Sequence, residues 1–433
     1  MFEMIRKALY GDLTTDEFKK FGMLSSVLLC IIGSYWLLRT VKDAIFMKTV
    51  GKLFIPYAKM TSFFVLIPLI LLYSELVDRV ERHKLFYIIC GVYFVVFTGI
   101  ALTLAHPTIG LANTVTDKYR LVGWATYLGI ETFGSLVVAL FWSFVASTTE
   151  TSAAKKGYAL IIGGAQVGSI AGPALVSTMA TTLGLPVLFG IAAVSIFMVP
   201  VLIARYVTKY PYARAEKSSS KKPTGPIEGL KLLLSKPYLM GILGIATLYE
   251  VIGTILDYQM KFLADEAYGS AEKVAEFLSL FGMAANGLAL VFALIGTSFF
   301  IRRFGLTFCL VMFPTAVACV VLYVMAFPML WALFIAMVAI KGLSYALNNP
   351  CKEIMYIPTS KDVKFKAKGW IDGFGGRSAK AAGSSVNAIF TNMTSLMFYG
   401  SIVSLGIIGV WVLVALYVGR TNKELVDGGK IIE

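Results

Sequence analysis

Apolar runs of roughly 20 residues recur along this chain from Met23 almost to Val418. As a helix, each is long enough to cross a bilayer hydrocarbon core of about 30 Å. The expected spans are 22–40, 58–77, 84–104, 119–146, 157–182, 184–206, 238–261, 275–300, 305–327, 329–357, 368–391 and 395–418. Twelve spans of ~22 residues account for about 264 positions and leave only short connections. The 433 residues are 58% hydrophobic and 15% charged. A soluble chain of that length carries about 25% charged residues. The expected fold class is an all-α polytopic membrane protein with 12 transmembrane helices and no room for a large soluble domain.

The net charge of +14 would suggest nucleic acid in a soluble protein. In a membrane protein the simpler cause is basic loops retained on the cytoplasmic side, so no nucleic-acid partner is expected. The five cysteines lie in or near apolar runs at spacings that fit no disulfide framework or metal site. With only His83 and His106, a histidine metal centre is excluded too, and no cofactor is expected. The first twenty residues are mixed in charge, with Asp12, Asp16 and Glu17. They resemble neither a cleavable signal peptide nor a transit peptide. The first span is therefore expected to direct its own insertion, into a bacterial inner membrane.

The longest polar stretch, from Lys209 to Lys236, carries Ser218–Ser220, Pro223 and Pro226. It reads as a flexible linker. The expected organisation is an N-terminal six-helix half (1–208), a cytoplasmic linker (209–236) and a C-terminal six-helix half (237–433). Connections after even-numbered spans hold Arg79, Arg82 and Lys84, then Lys155 and Lys156, the linker cluster, Arg302 and Arg303, and Lys361, Lys364, Lys366 and Lys368. Short basic loops stay inside, so both termini are expected to be cytoplasmic. The first hairpin breaks the trend with Arg39, Lys42, Lys48, Lys52 and Lys59. The latter three are expected to attract anions weakly, as a salt-sensitive electrostatic funnel.

The halves repeat one another. Ala154-Lys-Lys-Gly-Tyr158 followed by Gly163-Gly164 aligns with Lys366-Ala-Lys-Gly-Trp370 followed by Gly375-Gly376, and Gly157 pairs with Gly369. Asp78-Arg79-Val-Glu-Arg82-His-Lys84, after span 2, resembles the D-R-x-x-R-K signature of the major-facilitator superfamily. Duplicated six-helix halves are that architecture's hallmark. A major-facilitator-like fold of two pseudo-symmetric halves is therefore expected.

Ionisable residues inside apolar spans cost about 2.5–3.5 kcal/mol each on insertion scales and mark partners or watery cavities. The candidates are Arg39 and Lys42 in span 1, Glu131 in span 4 and Glu250 in span 7. Span 10 adds Lys341, Lys352 and Glu353, and span 11 adds Asp372, Arg377 and Lys380. Structural salt bridges or snorkelling are the bland alternative, strongest for Arg39, Lys352 and Glu353 near span ends. Cations outnumber anions six to four in this set, which suits a multiply anionic substrate. Tyr35, Trp36, Tyr158 and Trp370 could stack on a flat base or simply pack between helices.

Gly163 to Gly172 looks like a phosphate loop but lacks the Gly-Lys-Ser/Thr ending, and no strand precedes it. Gly164, Gly168 and Gly172 read instead as a small-residue packing face. No Ser/His/Asp constellation is present, so the chain is not expected to be an enzyme.

The stretch from Lys341 through Asn348-Asn349-Pro350-Cys-Lys352-Glu353 to Pro358 resembles span 10 of the non-mitochondrial ATP/ADP translocases of plastids and intracellular bacteria. Leu38-Arg-Thr-Val-Lys-Asp43, Glu131-Thr-Phe-Gly134, Ala154-Lys-Lys-Gly-Tyr158 and Ala379-Lys380-Ala-Ala-Gly383 extend the resemblance over nearly the whole chain. Asn349 stands where that family commonly has an aspartate, which marks a divergent branch. The resemblance implies exchange of ATP for ADP across the membrane, with other nucleotides or phosphate as further substrates. It also implies a monomer in the bilayer, and transport roles for Lys42, Glu131, Glu250 and Lys380. Substrate-binding candidates are thus Arg39, Lys42, Glu131, Tyr158, Glu250, Lys341, Asn348, Lys352, Glu353, Arg377 and Lys380. The alternative is a carrier of another phosphorylated or anionic metabolite, proton-coupled through Glu131 or Glu250.

Overall fold

In the computed structural model, residues 14–149, 151–210, 226–295, 301 and 303–432 are described, and they are almost wholly helical. The long helices are α1 (Thr15–Thr49), α2 (Ile55–Arg79), α3 (Arg82–Ala105), α4 (Leu121–Thr148), α5 (Thr151–Leu183) and α6 (Leu185–Lys209). There follow α7 (Pro237–Ala267), α8 (Ala271–Ile295), α9 (Leu306–Ala326), α10 (Leu330–Met355) and α12 (Met393–Asp427). Between them α11 runs as Lys361–Trp370 and Gly376–Ile389 about a π turn at Ile371–Gly375. Arg302, of the basic pair expected after span 8, lies outside the described residues.

Local chemistry sets the boundaries. Thr14 caps α1 with a full capping box: its hydroxyl accepts from the Glu17 amide, and the Glu17 carboxylate accepts from the Thr14 amide. Gly51 (φ 118°), Gly184 (φ 78°) and Gly305 (φ 79°) turn the chain ahead of α2, α6 and α9, in a region that L side chains rarely enter. Pro56 and Pro186 sit in the first turns of α2 and α6, where a missing N–H costs nothing.

Eleven of the described helices are long and apolar enough to cross a membrane. The remaining expected span, 368–391 in α11, falls short because Asp372, Arg377, Lys380 and several glycines and serines dilute its apolar content. Of the expected linker, residues 211–225 lie outside the described residues, while Pro226–Ser235 forms a helix packed on the first part of α11.

The packing repeats at a six-helix interval. In one half α1 packs on α4, α5 and α6, and α3 on α4 and α6. In the other α7 packs on α10, α11 and α12, and α9 on α10 and α12. The pseudo-symmetry seen in the repeated motif is therefore also a symmetry of helix partners. Two compact units result. One comprises Met1–Ala58, Phe64–Ser218 and Tyr268–Asn286; the other comprises Lys59–Phe63, Ser219–Ala267 and Gly287–Glu433. Residues 59–63 thus group with the second unit and most of α8 with the first.

The first unit is built on the α1–α5 seam, where the glycine face of α5 meets α1. A Cβ at Gly164 would fall 2.4 Å from the Ser25 carbonyl oxygen, and one at Gly172 2.4 Å from that of Gly33. Those contacts are too short for any side chain, so the backbones approach as in small-residue membrane interfaces. Asn286 of α8 donates to the Ser169 carbonyl at 2.8 Å, and Gln166 donates to the Asn286 carbonyl at 3.1 Å. In the second unit Asn387 of α11 donates to the Thr254 carbonyl at 3.2 Å, and Gln259 to that of Leu396 at 3.1 Å. Such bonds between helices contribute about 0.6 kcal/mol on average in membrane proteins.

Candidate substrate-binding site

The first unit gathers its charges where α1 faces α4. Lys42 Nζ lies 2.9 Å from Asp43 Oδ1 and 3.1 Å from Glu131 Oε1. The same ammonium sits 4.0 Å from the Tyr127 ring centroid, close enough for a cation–π contact. Tyr127 and Glu131 are one helical turn apart on α4, so both reach the same point. The Lys42 side chain is only 3% exposed and Glu131 29%. A lysine so deep is tolerable because two carboxylates and a ring surround it. On the preceding turn of α1 the Arg39 guanidinium lies 4.7 Å from the Trp36 ring centroid and 5.9 Å from that of Tyr35. Gly134 makes room for this aromatic pair, since a Cβ there would fall 2.2 Å from the Tyr35 ring.

Tyr158 is not part of this group. It packs edge-on against Trp142 of α4, with ring centroids 5.6 Å apart. Trp142 is eleven residues past Glu131, or about 16 Å along the helix.

The second unit assembles its charges from α7, α10 and α11. Lys380 Nζ is 3.8 Å from Glu250 Oε2, with side chains 53% and 26% exposed. Lys341 places its ammonium 5.4 Å from the ring centroid of Tyr249, the neighbour of Glu250. Lys352 lies within electrostatic range of Glu250, Asp372 and Lys341. Lys352, Glu353, Asp372, Lys368, Asn349 and Tyr356 line a cavity of about 200 Å³. That is below the 300 Å³ or more of a typical small-molecule pocket and matches a phosphate group better than a nucleotide. Lys368 also pairs with Glu353. Arg377 is half-buried on α11, three residues before Lys380 and on the same side.

Two π turns shape this unit. One, Ser344–Asn348, ends two residues before Pro350 in α10; the other is Ile371–Gly375 in α11. Proline has no N–H to offer the preceding turn, and π turns cluster at functional sites. Asn348 is buried within the first, and its amide nitrogen has no hydrogen-bond partner among the described residues. A buried orphan donor costs about 1–3 kcal/mol.

A profile described as "TLC ATP/ADP transporter" matches residues 1–421 of the chain. The chain belongs to this family. Among curated relatives, it is 26% identical to the chloroplastic ADP,ATP carrier protein 2 of Arabidopsis thaliana, over 92% of this chain and 74% of that one. It is 24% identical to ADP,ATP carrier protein 1 of Rickettsia prowazekii, over 86% of each. Among solved structures, a bacterial homologue of the iron transporter ferroportin in its inward-facing state superposes with a TM-score of 0.69 at 12% identity, covering 94% of this chain and all of that one. The peptide transporter POT in complex with sulfate gives 0.63 at 14% identity, over 93% and 95%. At these identities the likeness establishes the fold, which is of the major-facilitator type.

Within this TLC family member the four residues singled out by resemblance form two pairs. Lys42 meets Glu131 inside the first unit, and Lys380 meets Glu250 inside the second. Four members of the charge clusters escaped the sequence reading: Asp43, Asp257, Lys261 and, as a paired residue, Lys59. Asp43 had a signal, being next to Lys42 within the Leu38–Asp43 motif. Asp257 and Lys261 had one too, lying four residues apart on one helix face. Lys59, read as part of a surface funnel, instead pairs with Asp257 at 2.8 Å.

Proposed function

We propose that the chain exchanges ATP for ADP across a bacterial inner membrane by alternating access, as a monomer with both termini cytoplasmic. The observation that carries this reading is the division of four interior charges into one lysine–glutamate pair per unit, in a member of an ATP/ADP transporter family. The relatives' carrier names point to the same substrates, and the basic even-numbered connections support the orientation.

The chemistry follows from the pairs. In the empty carrier each lysine is neutralised by a carboxylate of its own unit. A nucleotide's phosphate oxygens compete for the same ammoniums, and charge-assisted hydrogen bonds to phosphate are among the stronger ones. Displacing the carboxylates exchanges a pairing made within each unit for one made to the substrate. Reorientation is then slow without nucleotide and fast with it, which makes an exchanger rather than a uniporter. Tyr35, Trp36 and Arg39 offer aromatic and guanidinium faces to the base. The small cavity beside Lys352 and Lys368 suits a phosphate.

The test is uptake of radiolabelled ATP into intact cells expressing the chain, followed by a chase with unlabelled nucleotides. ATP and ADP outside should release the label, and a protonophore should not block uptake. Uptake abolished by the protonophore and insensitive to external ADP would replace exchange with a proton-coupled carrier. Glu250→Gln should slow exchange more than it weakens equilibrium binding, because that carboxylate acts mainly in the empty state.

A further inference from the structure

The face of α7 that carries Glu250 reappears seven residues later at Asp257, about 10 Å nearer the Ala267 end. There a single carboxylate oxygen, Asp257 Oδ2, lies 2.8 Å from Lys59 Nζ and 2.7 Å from Lys261 Nζ. Lys261 comes from the next turn of α7. Lys59 comes from the first turns of α2, 198 positions away in sequence, and belongs to the same compact unit. All three side chains are largely shielded, Lys261 most of all at 9% exposure.

Two ammoniums converging on one anionic oxygen is the geometry by which lysines hold a phosphate oxygen. A carboxylate oxygen and a phosphate oxygen are interchangeable at such a point in charge and in hydrogen-bond distance. Lys59 and Lys261 both stand at ends of the expected spans 58–77 and 238–261, yet their ammoniums turn to a shared, shielded oxygen. We infer that Lys59 and Lys261 form a second oxyanion station, for the phosphate chain of the transported nucleotide, occupied by Asp257 when no nucleotide is present. The identity of the nucleotide rests on the function proposed above; the oxyanion chemistry rests on the three side chains. By the proposed orientation the station lies on the outer side of Glu250 and Lys380, where incoming nucleotide meets it first.

The competing role is a tie that merely holds α2 to α7, and the two roles differ in sign. A tie loosens whichever of the three residues is neutralised. A station loses its donors in Lys59→Met and Lys261→Met but loses only its resident competitor in Asp257→Asn. The experiment measures KM for ATP, ADP and AMP, and the inhibition constant of pyrophosphate, in proteoliposomes of wild type and the three variants. Each lysine variant should raise KM for ATP about tenfold, the scale of one charged hydrogen bond, with a smaller rise for ADP and the smallest for AMP. Asp257→Asn should strengthen pyrophosphate inhibition several-fold. Lys261→Arg, which keeps the charge, should stay near wild type and guards against loss of folding. Changes of one sign in all three neutral variants, independent of phosphate number, would overturn the station in favour of the tie, and no change at all would overturn both. A parallel reading of pyrophosphate-dependent melting on the purified variants needs no transport. If wild type exchanges no ATP or ADP but melting responds with opposite signs, the station stands and the proposed substrate falls. If exchange proceeds and the signs agree, the reverse holds.

Discussion

In the first unit Lys42 touches two carboxylates at 2.9 and 3.1 Å and its side chain is 3% exposed. In the second, Lys380 stands 3.8 Å from its glutamate and is 53% exposed. The pairing chemistry is the same, but the consequences differ. Removing a buried ion-pair partner strands the charges left behind, whereas an exposed pair contributes little to stability. The first pair is therefore bound up with the fold of its unit. The second is free to serve the substrate at small structural cost.

The largest expected effect separates the two directly. Lys42→Ala removes the buried ammonium that Asp43 and Glu131 both meet, and should destabilise the protein by about 3–5 kcal/mol. Lys380→Ala should cost no more than about 1 kcal/mol while removing most exchange. Melting of both purified variants in detergent, beside their exchange rates, checks this. Equal melting shifts would erase the distinction between the units. Next comes Gly134→Ala, whose new Cβ would meet the Tyr35 ring at 2.2 Å. Overpacking of this kind costs about 1–3 kcal/mol, and here it should also displace Tyr35 and weaken nucleotide affinity. Gly376→Ala, whose Cβ would meet nothing within 4 Å, should leave folding stability close to wild type in the same melt, making it the matched control in the second unit. The smallest shift in stability is expected for Asn348→Leu. It removes a buried donor without a hydrogen-bond partner among the described residues, so the melt should hold steady or rise. Affinity for ATP should nonetheless fall several-fold, as measured by equilibrium binding, if that amide is kept for substrate.

Much of this was legible beforehand. Apolar run length located the helices, because a bilayer imposes one length on every crossing segment. The Gly164, Gly168 and Gly172 stripe announced a close-packed face on α5, though not that its partner is α1. What spacing could not announce was pairing. Lys42 and Glu131 lie 89 positions apart, and no periodicity relates residues on different helices. The 3.8 Å pair of Lys380 and Glu250 is equally non-local. Resemblance named those four residues but not their arrangement. Tyr158 was drawn in by its motif, yet its ring packs on Trp142. The polar α11 reads poorly as a span because the residues that suit it to a site lower its apolar content.

The central claim is that interior lysines released from their carboxylates by phosphate turn binding into exchange. Its most direct test is counterflow of labelled ATP into liposomes carrying wild type or Lys380→Ala, either empty or preloaded with ADP. The account predicts rapid accumulation only for wild type with ADP inside. Equally rapid uptake into empty liposomes, or wild-type exchange by Lys380→Ala, would contradict it.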